Sequence, residues 1–425
     1  MRKLVLPTCN QVDAMITQDA FTIGKIAIKT VISKMTGLSM SQSKFIVRIL
    51  LLFLCIRGRH NFLQMSREGS LNEKSYRAQF DKKFDWLTFN IELVKEHSSR
   101  DIILGFDPSF INKSGKHSHG IGYFYSGCQG AYKRGLELGS FAALDVNQHL
   151  AYHLVADQSP SAKRDRIGES KTLVDHYAEI VLERSEKLKE LSDVLVFDAY
   201  FTKKKFVDVV SNQAGFEMIG RMRDDANLKY LYKGKQNKHR GRPKKYDGKI
   251  DMKKIDKRRL KLVCANDSQK IYTGVVYSVG LKRNIRVVFV EHSLKQKAIK
   301  KIYFSTNIER GAEKLLAYYR LRFQMEYIFR DSKQHMGLEH CQARSKNKLN
   351  FHHNASMTAV SLAKVIARNS AEKTSRMSIS VADVKTELQN RNLINRILSI
   401  YRIDRKLIKI NSAYRKLLNF GKVAA

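Results

Sequence analysis

The chain has 425 residues, a length that suits two or three domains. Its 78 Lys and Arg outnumber 40 Asp and Glu, a formal net charge of +38, and an excess of that size predicts a polyanionic partner, because each neutralised phosphate releases a condensed counterion. A hydrophobic content of 43% supplies a sizeable core and excludes general disorder, and only four prolines exclude collagen-like and proline-rich classes. The cysteines (Cys9, Cys55, Cys128, Cys264, Cys341) are odd in number and far apart, without a CxxC pair. That spacing argues against a disulfide scaffold or a zinc finger and fits a reducing cytoplasm. The strongest apolar run, Ile49 to Ile56, lies between Arg48 and Arg57 and is far shorter than the roughly 20 residues of a spanning helix. No long apolar segment follows Met1-Arg2-Lys3, so neither a membrane span nor a signal peptide is expected.

Residues 1–98 read as helical, with apolar positions at mixed three and four spacing through Ile23, Ile26, Val31, Phe45, Ile49 and Phe53. A turn at Gly69-Ser70 followed by a basic helix towards Phe80 allows either a DNA-contacting helix-turn-helix or a plain basic bundle. The pattern changes near residue 100. Ile102 to Phe106 is an apolar run of strand length ending at Asp107-Pro108-Ser109, and strand-like pieces follow at Gly120–Tyr125, Leu136–Leu144 and His149–Ala156. Lys171 to Leu191 reads as a helix, Val194–Phe197 as a second buried strand ending at Asp198, Lys204–Ala214 as a helix and Phe216–Arg221 as a strand. This is a mixed α/β order.

Residues 224–302 interrupt that order with a run of basic residues and further strand-like segments at Leu260–Cys264, Ile271–Val279 and Ile285–Val290. Within it, Arg240-Gly241-Arg242-Pro243-Lys244-Lys245 resembles an AT-hook core, a segment that can lie in a narrow minor groove. The alternative is a solvated basic loop that touches only the DNA backbone. A long helix is expected from about Thr306 to Met336, and the last fifty residues read as helical and basic.

Asp107 and Asp198 each stand at the end of an apolar strand, where α/β sheets gather their ligands. Taken singly, each is equally an ordinary solvated carboxylate at a strand edge. The expected long helix carries Tyr319, Arg322, Glu326 and Lys333 at steps of three, four and seven. On a regular helix these fall within roughly 60° of one another, so one face presents a phenol, two cations and a carboxylate. That set suits a metal-and-phosphate site, with Glu326 as a metal ligand and Arg322 and Lys333 gripping phosphates. A solvated face held by i,i+4 pairs has the same spacing. His117, His119, His352 and His353 lack a third ligand at metal-site spacing, which reads as loop chemistry rather than a zinc site.

The segment YYRLRFQMEYIFRDSKQHMGLEH (residues 318–340) resembles the Y-R-E-K signature of bacterial DDE-class insertion-sequence transposases of the insertion-sequence-four family. Gly105-Phe106-Asp107-Pro108-Ser109 is similar to the first-Asp block of that family, Val196 to Phe201 to its second, and Ile219 to Arg223 to the strand beyond it. Tyr303-Phe304-Ser305-Thr306-Asn307 is similar to the approach to the signature helix, with Asn307 where the family more often has Asp. The resemblance covers roughly residues 100–365. It implies a ribonuclease-H-like core interrupted by a β-rich insertion: a helical DNA-binding domain at 1–98, core at 99–223, insertion at 224–302, core again at 303–370, and a basic helical tail at 371–425 for DNA or dimer contacts.

The resemblance further implies a transposase in which Asp107, Asp198 and Glu326 are catalytic and hold Mg²⁺, with Mn²⁺ as a substitute. Tyr319, Arg322 and Lys333 would bind DNA phosphates, assisted by Arg240, Arg242, Lys244 and Lys245 of the basic segment. The partners implied are double-stranded DNA, as element ends and as target, and a second copy of the chain on that DNA, in the bacterial cytoplasm. Cut-and-paste movement in the family can pass through a hairpin on the element end. A catalytically silent DNA-binding descendant and another metal nuclease on the same fold remain alternatives.

Overall fold

The two apolar runs that precede Asp107 and Asp198 become adjacent parallel strands. The computed structural model describes residues 20–161, 171–236, 242–251, 255–256, 258–267, 269–294, 297–370, 380–404 and 412–423. It divides into two compact units, Trp86–Phe329 and the pair of segments Met1–Asp85 with Arg330–Ala425.

In the Trp86–Phe329 unit, α5 (Trp86–His97) leads into β1 (Ile102–Asn112), β2 (Gly122–Ser126), β3 (Ala131–Asp145) and β4 (Leu150–Gln158). Helix α6 (Leu173–Lys189), β5 (Val194–Phe197), α7 (Lys204–Asp208) and β6 (Glu217–Met222) follow. Strand β1 is antiparallel to β3 and parallel to β5, and β5 is parallel to β6. The first five residues of β1 and all four of β5 are buried. That is why they read as continuous apolar runs rather than alternations: both faces of the sheet are covered there. Phe106 meets Phe141 at 4.7 Å and Phe201 at 5.6 Å between ring centroids, and Phe197 meets Phe206 at 4.8 Å. Burial of each such ring contributes roughly 1.5–3 kcal/mol. Elsewhere in this unit, Asn90 on α5 donates to the Leu154 carbonyl of β4 at 2.8 Å.

The sheet continues past β6. Strands β7 (Leu228–Leu231), β8 (Tyr246–Lys249), β9 (Lys261–Ala265), β10 (Gln269–Ser278), β11 (Arg283–Leu294) and β12 (Lys297–Ser305) join it antiparallel. The twelve strands run β2-β3-β1-β5-β6-β12-β11-β10-β7-β8, with β4 beside β3 and β9 beside β10. β12 brings the chain back beside β6. Two helices follow, α8 (Ala312–Leu321) and α9 (Gln324–Gln334), the second passing from one unit into the other.

The other unit is helical. It holds α1 (Ala20–Lys34), α2 (Met40–Cys55), α3 (Phe62–Glu68), α4 (Glu73–Phe80), α10 (Lys346–Ser370), α11 (Val381–Ile400) and α12 (Ser412–Asn419). The expected turn at Gly69-Ser70 separates α3 from α4, whose Asn72 accepts from the Ser75 amide at 2.8 Å. Helix α10 is buried on all sides from Phe351 to Ile366, which makes it the central helix of this unit. Cys55, Cys128, Cys264 and Cys341 are free thiols. Among the described residues no helix is long and apolar enough to cross a membrane.

Three sequence expectations are corrected. Strand β1 does not stop at Asp107 but runs on to Asn112, because β3 pairs with it over its whole length. The helix expected from Thr306 to Met336 is two helices, and its first part begins only at Ala312. The helix expected over Lys204–Ala214 widens into a π turn at Val209–Gln213.

Candidate active site

Asp107 lies in mid-strand on β1, opposite Ser140 of β3. Gly105 stands opposite Val196 in the parallel pair, so two residues further on Asp107 is level with Asp198. Asp198 follows β5 directly and begins the short 3₁₀ turn Ala199–Phe201, to which its side chain makes no capping bond. The register thus sets two carboxylates side by side, although they are distant in sequence.

Gly105 also sets how near the helices α8 and α9 can come. A Cβ there would stand 2.6 Å from Met325 Sδ and 3.1 Å from Leu144 Cδ1. The bare backbone lets buried Met325 close onto β1, and Glu326 in the first turn of α9 arrives beside Asp107. Between α8 and α9 the chain turns tightly. The amides of Arg322, Phe323, Met325 and Glu326 each bond three residues back, to Tyr319, Arg320, Arg322 and Phe323. This three-residue winding replaces the regular helix on which the 60° face was reckoned.

Arg322 sits at that turn. One guanidinium nitrogen is 3.4 Å from Asp107 Oδ2 and the other 3.2 Å from Glu326 Oε1. Its Nε is buried without a hydrogen-bond partner among the described residues. Tyr319 directs its hydroxyl to Asp198 Oδ1 at 3.5 Å, the outer limit of a hydrogen bond, and its ring packs on Tyr303 at 4.7 Å. The Arg322 guanidinium carbon also lies 6.0 Å from the centroid of the Tyr319 ring, which joins Asp107, Arg322 and Glu326 to Tyr319 and Asp198 in one group.

The electrostatics follow from that crowding. Burial pushes the Asp107 carboxyl up to about 7, with Arg322 opposing and Asp198, Glu326 and Glu137 adding to the rise. Burial raises Tyr319 to about 12, so its phenol stays a donor. Burial works against the Arg322 charge, but Asp107, Tyr319, Asp198 and Glu326 outweigh it and raise its pKa.

Lys333 lies on the last turn of α9, in the helical unit, 3.8 Å from Glu339. Arg240 lies outside the described residues. Arg242, Lys244 and Lys245 are exposed, and Lys244 pairs with Asp247 at 3.0 Å and covers the Tyr232 ring. His117 and His119 are exposed in the loop after β1, whereas His352 and His353 are buried in α10, where His352 Nε2 bonds the Gly337 carbonyl at 2.8 Å. The three carboxylates are hard oxygen donors of the kind divalent cations prefer. Among the described residues, however, no group of three or more His, Cys, Asp or Glu is drawn together closely enough to hold a metal ion. The Arg322 guanidinium supplies the positive charge between Asp107 and Glu326.

Sequence reading missed one supporting pair. Glu217, at the start of β6, receives Arg310 Nε at 2.8 Å, a second Arg310 nitrogen, and the Ser305 hydroxyl at 2.7 Å. Thr306 adds two bonds to Met218, from its amide at 3.0 Å and to its hydroxyl at 2.9 Å. These contacts pin the link between β12 and α8 to β6, and so the start of the segment that carries Tyr319 and Arg322. The signal available was the Ser305-Thr306-Asn307 block, whose polar residues follow an apolar strand.

The polar group thus gathers where the parallel strands β1 and β5 meet the successive helices α8 and α9. Residues 106–362 match the family model described as Transposase DDE domain, and the chain belongs to that family. Membership implies a transposase whose substrate is DNA. No curated protein matches the chain significantly.

Proposed function

We propose that the protein is an insertion-sequence transposase of the insertion-sequence-four kind, which binds the terminal inverted repeats of its own element and catalyses Mg²⁺-dependent DNA cleavage and strand transfer. The observation that carries this reading is the meeting of Tyr319, Arg322 and Glu326 with Asp107 and Asp198. The strand order β3-β1-β5-β6, with β1, β5 and β6 parallel, supports a ribonuclease-H-like core.

Asp107, Asp198 and Glu326 would hold the divalent ions. Their carboxylates fit in chemistry, although Arg322 now stands between Asp107 and Glu326 and, among the described residues, the three are not drawn together around a metal position. A divalent ion held there would supply positive charge to a displacement at phosphorus. Arg322 is permanently cationic and forked, suited to leave the carboxylates for phosphate oxygens as DNA arrives. Tyr319, protonated and braced by Tyr303, donates to a backbone oxygen beside Asp198. Lys333, Arg242, Lys244 and Lys245 serve DNA phosphates outside this group, and Arg240 belongs to the same basic stretch. Hairpin formation on the element end is part of the same reading.

A dimer on DNA would let each subunit meet both ends. Supporting it, α11 exposes Leu393, Ile397 and Ile400 at steps of four and three, beside exposed Tyr401, a stripe suited to a second copy of the helix. The test is cleavage of a linear DNA carrying the element's ends, with Mg²⁺ or EDTA. Wild type should cut at the element boundary with Mg²⁺ only. Asp107→Asn, Asp198→Asn and Glu326→Gln should each bind the ends and lose cutting by at least about a thousandfold. Wild-type-like cutting by any of the three overturns the assignment.

A further inference from the structure

The β2–β3 hairpin carries an exposed aromatic face that the reacting group does not use. In the antiparallel pair Tyr123 stands opposite Arg134 and Tyr125 opposite Tyr132. Side chains opposite one another in such a pair share a face, as do those two apart on one strand. So Tyr123, Tyr125, Tyr132 and Arg134 project to the same side, and Phe124 turns inward, buried. The tyrosines are 58%, 54% and 73% exposed. Tyr125 and Tyr132 meet edge to face, with ring centroids 5.7 Å apart and planes at 68°. Arg134 is steadied by a 3.0 Å bond to the Gly115 carbonyl.

Three exposed aromatic rings lie together on the outermost strand pair of the sheet, and the charge around them favours an anionic partner. From Pro108 to Leu136 the sequence contains no Asp or Glu, while Lys116, Lys133 and Arg134 are exposed there. Aromatic rings set among cations bind nucleic acid through the flat faces of its bases, and those faces are open only where the strand is unpaired. An intact duplex offers this surface phosphates alone.

We propose that the β2–β3 hairpin is a binding site for unpaired DNA, with Tyr125 and Tyr132 stacking on bases, Tyr123 extending the platform, and Arg134 meeting the backbone. Its position gives the site a role. Tyr132 lies eight residues along β3 from Ser140, the residue opposite Asp107, which at the strand rise is roughly 25 Å. The platform would hold an opened stretch of strand several nucleotides from the phosphate under attack. This deepens the transposase reading and rests on it for the choice of DNA, but the stacking itself needs no catalysis.

The test uses the full chain without divalent metal and two fluorescein-labelled duplexes of one sequence, one fully paired and one with a short unpaired stretch. Wild type should bind the interrupted duplex more tightly. Tyr125→Ala with Tyr132→Ala should weaken that binding by about tenfold and leave affinity for the paired duplex within about twofold. Tyr125→Phe with Tyr132→Phe keeps the rings and should keep the preference, which separates stacking from collapse of the hairpin. A wild type that does not distinguish the duplexes, or an alanine variant that still does, overturns the proposal while leaving the transposase reading intact. If wild type binds neither duplex, both fail. If the alanine variant changes only self-association, the face joins copies of the chain and the proposal is wrong.

Discussion

The guanidinium of Arg322 reaches Asp107 at 3.4 Å, and with its other arm reaches Glu326 at 3.2 Å. Both Arg322 and Asp107 are largely withdrawn from water, with side chains 16% and 21% exposed. Without the cation, a buried carboxylate would face Asp198, Glu326 and Glu137 uncompensated, and it would answer by taking a proton. Arg322→Ala should therefore lower stability by roughly 2 kcal/mol, less than the loss for a pair that cannot reprotonate, and cleavage by at least about a hundredfold. Arg322→Lys should recover much of the stability and little of the cleavage, since an ammonium cannot span two carboxylates or fork onto a phosphate. Thermal melts alongside end cleavage measure both; full cleavage by the lysine variant would rule out the fork.

Asp107 gives a signed pH dependence. Its folded-state pKa is raised from 3.8 to about 7, so between those values the folded chain keeps a proton that the unfolded chain has released. Stability conferred by this group therefore falls as pH rises from about 4 to about 7. The whole shift corresponds to roughly 4 kcal/mol, and partial exposure brings the expected effect nearer 2 kcal/mol. Comparing urea midpoints of wild type and Asp107→Asn across that window, in EDTA, should show the wild type losing ground as pH rises. Millimolar Mg²⁺ should flatten the difference. Parallel pH curves in EDTA would refute the assignment.

Glu217 and Arg310 form a largely buried ion pair, 10% and 19% exposed. Removing one partner leaves the other charge stranded, at a cost of about 3–5 kcal/mol. Glu217→Gln keeps the shape and one of the two oxygens to which Ser305 and Asn307 donate, so it should cost less than Arg310→Ala. Because the pair anchors the chain ahead of α8, both variants should lower kcat for cleavage more than they weaken DNA binding. Equal losses in binding and turnover would make the pair merely structural.

In the helical unit, Lys385 on α11 is buried, donating to the Phe53 carbonyl at 3.0 Å and approaching His60 Nε2 at 3.2 Å. Burial lowers its pKa to about 7. The folded state then binds fewer protons than the unfolded one between about 7 and 10.5, and stability from this group rises with pH over that range. Lys385→Met should be near neutral or slightly stabilising at about pH 6 and should lose its advantage by about pH 10. A melting difference independent of pH would show that Lys385 titrates normally.

Much of the fold was readable because burial writes itself into short windows. Ile102–Phe106 and Val194–Phe197 were legible as strands since both their faces are covered, and α6 since its apolar residues repeat at helical spacing. Strands β7 and β8 were not recognised, for each has four residues and β8 has none buried. Nor was α10, whose buried residues include His352, His353, Asn354, Ser356 and Ser361 and so break any apolar period.

The sequence by itself determined which chemistry could be present: Asp107 and Asp198 after apolar runs, and Tyr319, Arg322 and Glu326 at neighbouring helical steps. Only the tertiary structure decided how they meet. It extended β1 beyond Asp107 through pairing with β3, levelled Asp107 with Asp198 through the parallel register, and wound the chain tightly at Arg322 so that its guanidinium faces two carboxylates. Spacing and apolarity are local properties that a short window records. Register and close approach, such as Met325 against Gly105, arise from packing between residues far apart in the chain, and no window contains them.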